Sequence, residues 1–283
     1  MKFKVSLKDY KCGGEYNIFK PYFDIQKRRL KKLIAELLVD DRHILIIGQT
    51  ASGKTTFCKA LLGICSRFIV LDFNNEYEYY SPVQMEFKLR KECFSYYLRL
   101  LEPSIPQEML SILLKYEKDY DEALLQASVF YDIKVVNALR LRRNSFNKIR
   151  ENFRYTIPVV KLTHIDVDVR VPFVACVLAD RLLGKESEVL VVEEAQIFKD
   201  SLNFLAEEGR KRGKKLIFIT NNPENIPSGV LHNSNILIFR SLPTVKYRIG
   251  IIERWFKPER LKQGEFYCII PGEKIRKFKV KLW

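Results

Sequence analysis

The chain has 283 residues, 47% hydrophobic and 29% charged, and its 49 Lys and Arg against 34 Asp and Glu leave a formal charge of +15. This composition excludes a disordered chain, and the length supports one large core or two small ones. The longest apolar run, Val171 to Ala179, is interrupted by Pro172 and falls far short of the roughly 18 to 20 residues of a membrane span.

The lysine-alternating N-terminus lacks the apolar core of a secretion signal, so a soluble cytoplasmic protein with no membrane partner is expected, in the host cytoplasm if the source is viral. Asp24 stands where it would cap a helix whose apolar residues Leu30, Leu33, Ile34, Leu37 and Leu38 recur at three and four, with Lys27, Arg28, Arg29, Lys31 and Lys32 on the other face. Residues 1–42 thus form an N-terminal segment carrying a basic amphipathic helix. Next come an apolar strand His43 to Ile47, a glycine-bounded loop, a helix from Lys54 to about Cys65 and a strand Phe68 to Leu71.

From Glu76 to Val159 the rhythm changes to long helical patterns, with Ser104 and Gln107 spaced as a capping box. Residues 81–158 read as a helical insertion between two parts of a core, 43–80 and 159–283. The core resumes with strands Val159 to Leu162, Val189 to Val192, Leu216 to Thr220 and Ile236 to Phe239, and with helices Pro172 to Leu183 and Ser201 to Arg212. Short apolar strands alternating with helices indicate a mainly parallel sheet covered on both faces. Phe266 to Ile270 and Lys274 to Leu282 flank Pro271-Gly272-Glu273 as a hairpin with a basic face of Lys277, Lys279 and Lys281.

Six cysteines without a C-x-x-C pair and three scattered histidines do not form a zinc site. Buried free thiols are the expected state, with intracellular disulfides left open because the Lys-rich composition also suits a hyperthermophile.

Gly48-Gln49-Thr50-Ala51-Ser52-Gly53-Lys54-Thr55 fits G-x-x-x-x-G-K-[ST], directly after a strand and opening a helix. The glycines let successive N–H groups turn inward on a phosphate, the helix dipole adds to them, Lys54 brings a mobile positive charge, and the Thr55 hydroxyl is suited to magnesium. With Thr56 these residues form the candidate ATP-binding set. ATP chemistry also needs carboxylates, and Glu193 and Glu194 end the strand Val189 to Val192. Glu193 is expected to serve magnesium and Glu194 to activate the attacking water.

These residues resemble the HerA/FtsK branch of P-loop ATPases, most closely HerA-like motors in a trimmed form as in viral or plasmid versions. Val70 to Tyr77 is similar to the family's acidic element, which adds Asp72 and Glu76 to the nucleotide site. Val191 to Gln196 is similar to its Asp-Glu-Ala-His strand end; Glu193 stands in place of Asp, a longer carboxylate that suits magnesium through water. Glu207 to Gly213 resembles its Arg-Glu-Gly-Arg-Lys-x-Gly, with Arg210 on the second arginine, which helps complete the nucleotide site, and Glu207 on the first. Asn221, with Asn222 beside it, matches the polar residue that senses the γ-phosphate. The resemblance implies a RecA-like ASCE fold and a homo-hexameric ring, and leaves the insertion unaccounted for.

Lys134 to Arg154 holds seven basic residues against Glu151. Such a surface suits sequence-independent binding of phosphate backbones, with Arg140, Arg142 and Arg143 as candidates. Phe94, Tyr96 and Tyr97 lie near basic residues, and at this spacing core packing is the favoured reading. The sequence reads as an ATP-driven double-stranded DNA translocase working in genome packaging, DNA end processing or plasmid or viral DNA transfer, with a nuclease or a capsid as partner. The competing readings are a nucleotide-gated DNA-binding switch of initiator or partition type that does not translocate, and a DNA-binding protein with an inactive site.

Overall fold

The computed structural model describes residues 28–77, 82–87, 91–103, 105, 109, 120–184, 188–240, 258–273 and 275–279. Asp24, the Ser104 and Gln107 pair, Cys12 and Lys281 lie outside them.

Eight strands form the main sheet: β1 (His43–Ile47), β2 (Phe68–Asp72), β5 (Val159–Lys161), β6 (Val189–Val192), β7 (Lys215–Thr220), β8 (Ser234–Phe239), β9 (Glu265–Ile269) and β10 (Arg276–Lys279). Their order is β10-β9-β8-β1-β7-β6-β2-β5, and the six from β8 to β5 run parallel. The run β8-β1-β7-β6-β2 places one strand, β7, between the phosphate-loop strand and the acidic strand, the RecA-like ASCE arrangement. β9 pairs antiparallel with β8 and with β10.

Alternation sorts the side chains to two faces. Leu45, Ile47, Ile69, Leu71, Leu190, Val192, Leu216 and Phe218 share one buried cluster with Phe94, Tyr97, Phe173 and Leu205 from helices α3 (Lys91–Leu101), α6 (Val167–Leu183) and α7 (Leu202–Lys211). Ile44, Ile46, Val70, Val191, Ile217 and Ile219 face the other way, with Leu33, Ile34 and Leu37 of α1 (Arg28–Val39) and Phe57 and Leu61 of α2 (Lys54–Leu62). The basic amphipathic helix is therefore part of the core: each of its three fully buried aliphatics contributes roughly 1.5 to 3 kcal/mol.

Between the two parts of the core lie α3, α4 (Tyr120–Phe130) and α5 (Ile133–Asn152). α5 starts at Asp132, whose carboxylate accepts the Lys134 amide at 2.7 Å. This stretch also carries two strands that period counting missed. β3 (Val83–Met85) and β4 (Tyr155–Ile157) pair antiparallel across its entrance and exit. Three-residue strands are too short for a periodicity to show. Val136, Leu139, Phe146 and Ile149 of α5 are buried in the first of these clusters, where α5 packs against α3, α4 and α6.

Tyr97 is fully buried and Phe94 nearly so, while Tyr96 packs on Phe204 and under the Arg212 guanidinium. The aromatic triplet is core. No disulfide joins the five described cysteines. Among the described residues no helix is long and apolar enough to cross a membrane. The C-terminal hairpin forms with Lys277 and Lys279 exposed and Phe278 stacked on Phe266 at 5.6 Å.

Candidate functional site

The carboxyl ends of β1, β6 and β7 open on one cleft, where a parallel α/β sheet presents its ligand site. Thr50, Ala51, Gly53, Lys54, Thr55 and Thr56 line one wall, and Asn74, Glu76, Glu193, Glu194, Thr220 and Asn221 stand across from them or at their side. Residues about 140 apart in the chain meet because β7 alone separates β1 from β6.

The phosphate loop owes its path to close packing. A Cβ on Gly48 would come within 2.7 Å of the Phe239 Cβ and 3.2 Å of the Arg240 carbonyl, so the β8 edge admits only glycine there. Gly53 ends the loop at φ 107, left-handed, and α2 begins at the next residue. Lys54 Nζ donates to the Gln49 carbonyl at 2.8 Å. Burial lowers the Lys54 pKa, opposed by the charges of Glu194, Glu76 and Glu193. Gly48, Gln49 and Ser52 lie off the cleft wall: Gln49 donates its amide to Arg240, and the Ser52 hydroxyl is buried without a partner.

Among the described residues three non-glycine residues have positive φ: Ala51 (59°), Asn75 (56°) and Glu194 (48°). Two line the cleft and Asn75 lies between its neighbours Asn74 and Glu76. Each such conformation costs about 1 to 2 kcal/mol, and strain concentrated at one place marks a functional constraint.

Glu193 is 3% exposed and its Oε2 has no hydrogen-bond partner. Burial, then the neighbouring Asp72 and Glu76 carboxylates, pushes its pKa up to about 8. A buried carboxyl beside other acids, with an orphaned oxygen, fits a cation. Among the described residues no three His, Cys, Asp or Glu side chains form a metal cage.

Glu194 is tied to the end of β7 through Gln196. The Gln196 amide donates to Glu194 Oε2 and, at 3.3 Å, to Asn221 Oδ1, while the Thr220 hydroxyl donates to Gln196 Oε1 at 2.7 Å. Gln196 lies in the motif segment, but the sequence assigns it no role; only the adjacency of β6 and β7 reveals one. Gln263 also enters the cleft, from the turn before β9, and no motif marks it.

Two expectations change. Asp72 is fully buried and absent from the cleft wall: its Oδ1 accepts the amides of Asn74 and Glu76 at 3.2 and 3.0 Å, and its Oδ2 that of Tyr77 at 3.0 Å. Asp72 shapes the turn that brings Asn74 and Glu76 to the cleft. The three insertion arginines also do not form a row of equivalent charges. Arg142 donates to Glu102 Oε1 at 2.9 and 2.6 Å, and Arg143 lies 4.7 Å from the Phe94 ring centroid, while Arg140 is exposed.

Arg210 stands at the opposite end of the strands, beside the start of β1. It lies in the last turn of α7, donates to Asn233 Oδ1 at 3.2 Å, and neighbours His43, where β1 begins. The four steps from His43 to Ile47 span about 13 Å at the parallel-strand rise. Arg210 therefore does not meet the Lys54 of its own chain.

No family model matches the chain. A curated protein named a probable helicase, from Methanocaldococcus jannaschii, is 27% identical over 167 residues, 50% of this chain and 33% of that protein, so the alignment spans a third of the relative's length. Among solved structures, VirB4 of Thermoanaerobacter pseudethanolicus matches with a TM-score of 0.48 at 13% identity, over 85% of this chain and 89% of that one. The genome packaging NTPase of Sulfolobus turreted icosahedral virus 2, in complex with AMPPCP, matches with 0.43 at 17% identity, over 86% and 99%. The cytoplasmic domain of the type VII secretion ATPase EccC of Thermomonospora curvata matches with 0.36 at 14% identity, over 85% and 25%.

Proposed function

We propose that the chain hydrolyses ATP with magnesium and works as the motor of a HerA/FtsK-like double-stranded DNA translocase, assembled as a homo-hexamer. The observation that carries the ATPase reading is the convergence of Lys54, on the phosphate loop after β1, with Glu193 and Glu194, on the end of β6, in one cleft with the tip of β7 between them. The DNA reading is supported by the +15 charge and the exposed basic residues of the insertion and the C-terminal hairpin.

In this reading the loop amides and the α2 N-terminus hold the phosphates, and Lys54 exchanges the Gln49 carbonyl for phosphate oxygens. Thr55 and, through water, Glu193 would hold magnesium, which would supply positive charge to offset that on the phosphoryl group. Glu194 orients the attacking water and accepts its proton. Gln196 fixes the Glu194 carboxylate and links it to Thr220 and Asn221, which sense the γ-phosphate. Phosphoryl transfer depends mainly on such positioning and charge.

Steady-state ATP turnover of the purified chain, with and without duplex DNA, tests the reading. Wild type should turn over ATP faster with DNA and displace a triplex-forming strand from duplex. Lys54→Ala should lose most turnover, and Glu194→Gln should bind ATP without hydrolysing it. Near wild-type turnover in Glu194→Gln would move the water-activating role to Glu193. DNA-stimulated turnover without strand displacement would favour a nucleotide-gated switch.

A further inference from the structure

The turn before β9 is fastened to the phosphate loop at two consecutive residues. Gln263 Nε2 donates to the Ala51 carbonyl at 3.0 Å, and the Gly264 amide donates to the Ser52 carbonyl at 2.9 Å. These partners are more than 200 residues apart in the chain. The turn is itself stiff. Glu265 accepts the Lys262 amide at 2.9 Å and returns its own amide to the Lys262 carbonyl at 2.9 Å, and Lys277 on β10 pairs with the same carboxylate at 3.0 Å. Leu261 is buried beneath it.

The place of contact matters. In one peptide plane the carbonyl and the following amide point in opposite directions, so holding the Ala51 and Ser52 carbonyls fixes the plane of the Ser52 amide, which closes the curl of the loop onto the Gln49 carbonyl at 3.3 Å, and the plane of the Gly53 amide. Those planes belong to the stretch that must cradle phosphate. Ala51 is also one of the strained residues, at φ 59, a conformation that an alanine leaves unless something holds it.

We propose that Gln263 is a positioning residue of the nucleotide site, a clasp from the C-terminal turn that holds the phosphate loop in its phosphate-binding conformation. The inference rests on the reading of the cleft as a nucleotide site. The ligand it serves is the polyphosphate chain, whatever base is attached.

Calorimetric binding of ATP and of inorganic tripolyphosphate to the full chain tests the clasp, using wild type, Gln263→Ala, Gln263→Glu, Ala51→Gly and the double variant Ala51→Gly/Gln263→Ala. Gln263→Ala should weaken both ligands to a similar degree, roughly fivefold for one hydrogen bond to a strained loop, and leave the thermal midpoint unchanged because the side chain is exposed. Gln263→Glu keeps the size but cannot donate to a carbonyl, so it should bind no better than Gln263→Ala. Glycine adopts the left-handed conformation without cost, so in the Ala51→Gly background the same Gln263→Ala change should weaken binding less than twofold. Unchanged binding in Gln263→Ala, a loss confined to ATP, or an equal loss in both backgrounds would each overturn the clasp. Failure of the wild-type chain to bind either ligand would instead refute the nucleotide reading, and the clasp with it.

Discussion

Replacing Arg210 with alanine separates a catalytic arginine from a merely basic turn. The side chain is exposed and makes one hydrogen bond, 3.2 Å to Asn233, so its removal should cost no more than about 1 kcal/mol of stability. Its distance from its own phosphate loop, set by the length of β1 at about 13 Å, puts the nucleotide of its own chain out of reach, so a catalytic role would require the nucleotide of a neighbouring subunit. If Arg210 meets the γ-phosphate there, turnover should fall by about a thousandfold, the lower range for arginines that act in this way. Steady-state turnover and thermal unfolding of the pure variant give the first answer. Mixing gives the second. Arg210→Ala subunits keep an intact Lys54, and Lys54→Ala subunits keep an intact arginine. In rings assembled randomly from equal amounts, roughly a quarter of interfaces pair the two intact groups, so turnover should recover toward a quarter of wild type from two nearly inactive variants. Subunit exchange is verified by fluorescence transfer between labelled variants. Full activity of pure Arg210→Ala, or no recovery despite verified exchange, would refute the trans-acting arginine.

The insertion arginines should differ from one another. Arg140→Ala should lower the slope of log affinity for duplex DNA against log salt by about one, whereas Arg142→Ala, whose charge is already committed to Glu102, should leave that slope nearly unchanged; equal effects would place the DNA surface elsewhere. His43 should govern part of the acid sensitivity. Its Nε2–H donates to the Ala206 carbonyl at 2.7 Å, its Nδ1 accepts the Leu216 amide at 3.2 Å, and burial, with Lys215 and Arg210 nearby, pushes its pKa down to about 4. Below the ordinary value of 6.5 the unfolded chain binds a proton that the folded chain refuses. Stability present above pH 6.5 should therefore fall as pH drops toward 4, by about 3 kcal/mol in all. Denaturant titrations of wild type and His43→Gln across that range check this: an equally steep acid limb in the variant would exonerate His43.

How far the site was legible depends on how local its causes are. The phosphate loop could be read directly because its chemistry needs glycines, a lysine and a hydroxyl at fixed spacing after one strand. The strands β1, β2, β5, β6, β7 and β8 were legible within a residue or two because a strand buried on both faces must be a short apolar run. Glu193 and Glu194 stood out as two acids ending such a run. The pairs β3 and β4 were not legible, since a three-residue strand is made by its partner and not by its own pattern.

The tertiary structure decided what strand order and long-range contacts bring together. A carboxylate near the site can hold a ligand or fold a turn, and Asp72 became a turn former because the amides of Asn74, Glu76 and Tyr77 lie within its reach. Arg142 and Arg143 differ from Arg140 by their partners, Glu102 and Phe94, which come from the other end of the insertion. Gln196 gained a role because β7 docks between β1 and β6, and Gln263 because β9 pairs with β8 beside the phosphate loop. Local propensity can choose a strand or a helix, whereas the partner of a polar side chain is chosen by whichever distant residue the burial of the two apolar faces delivers to it.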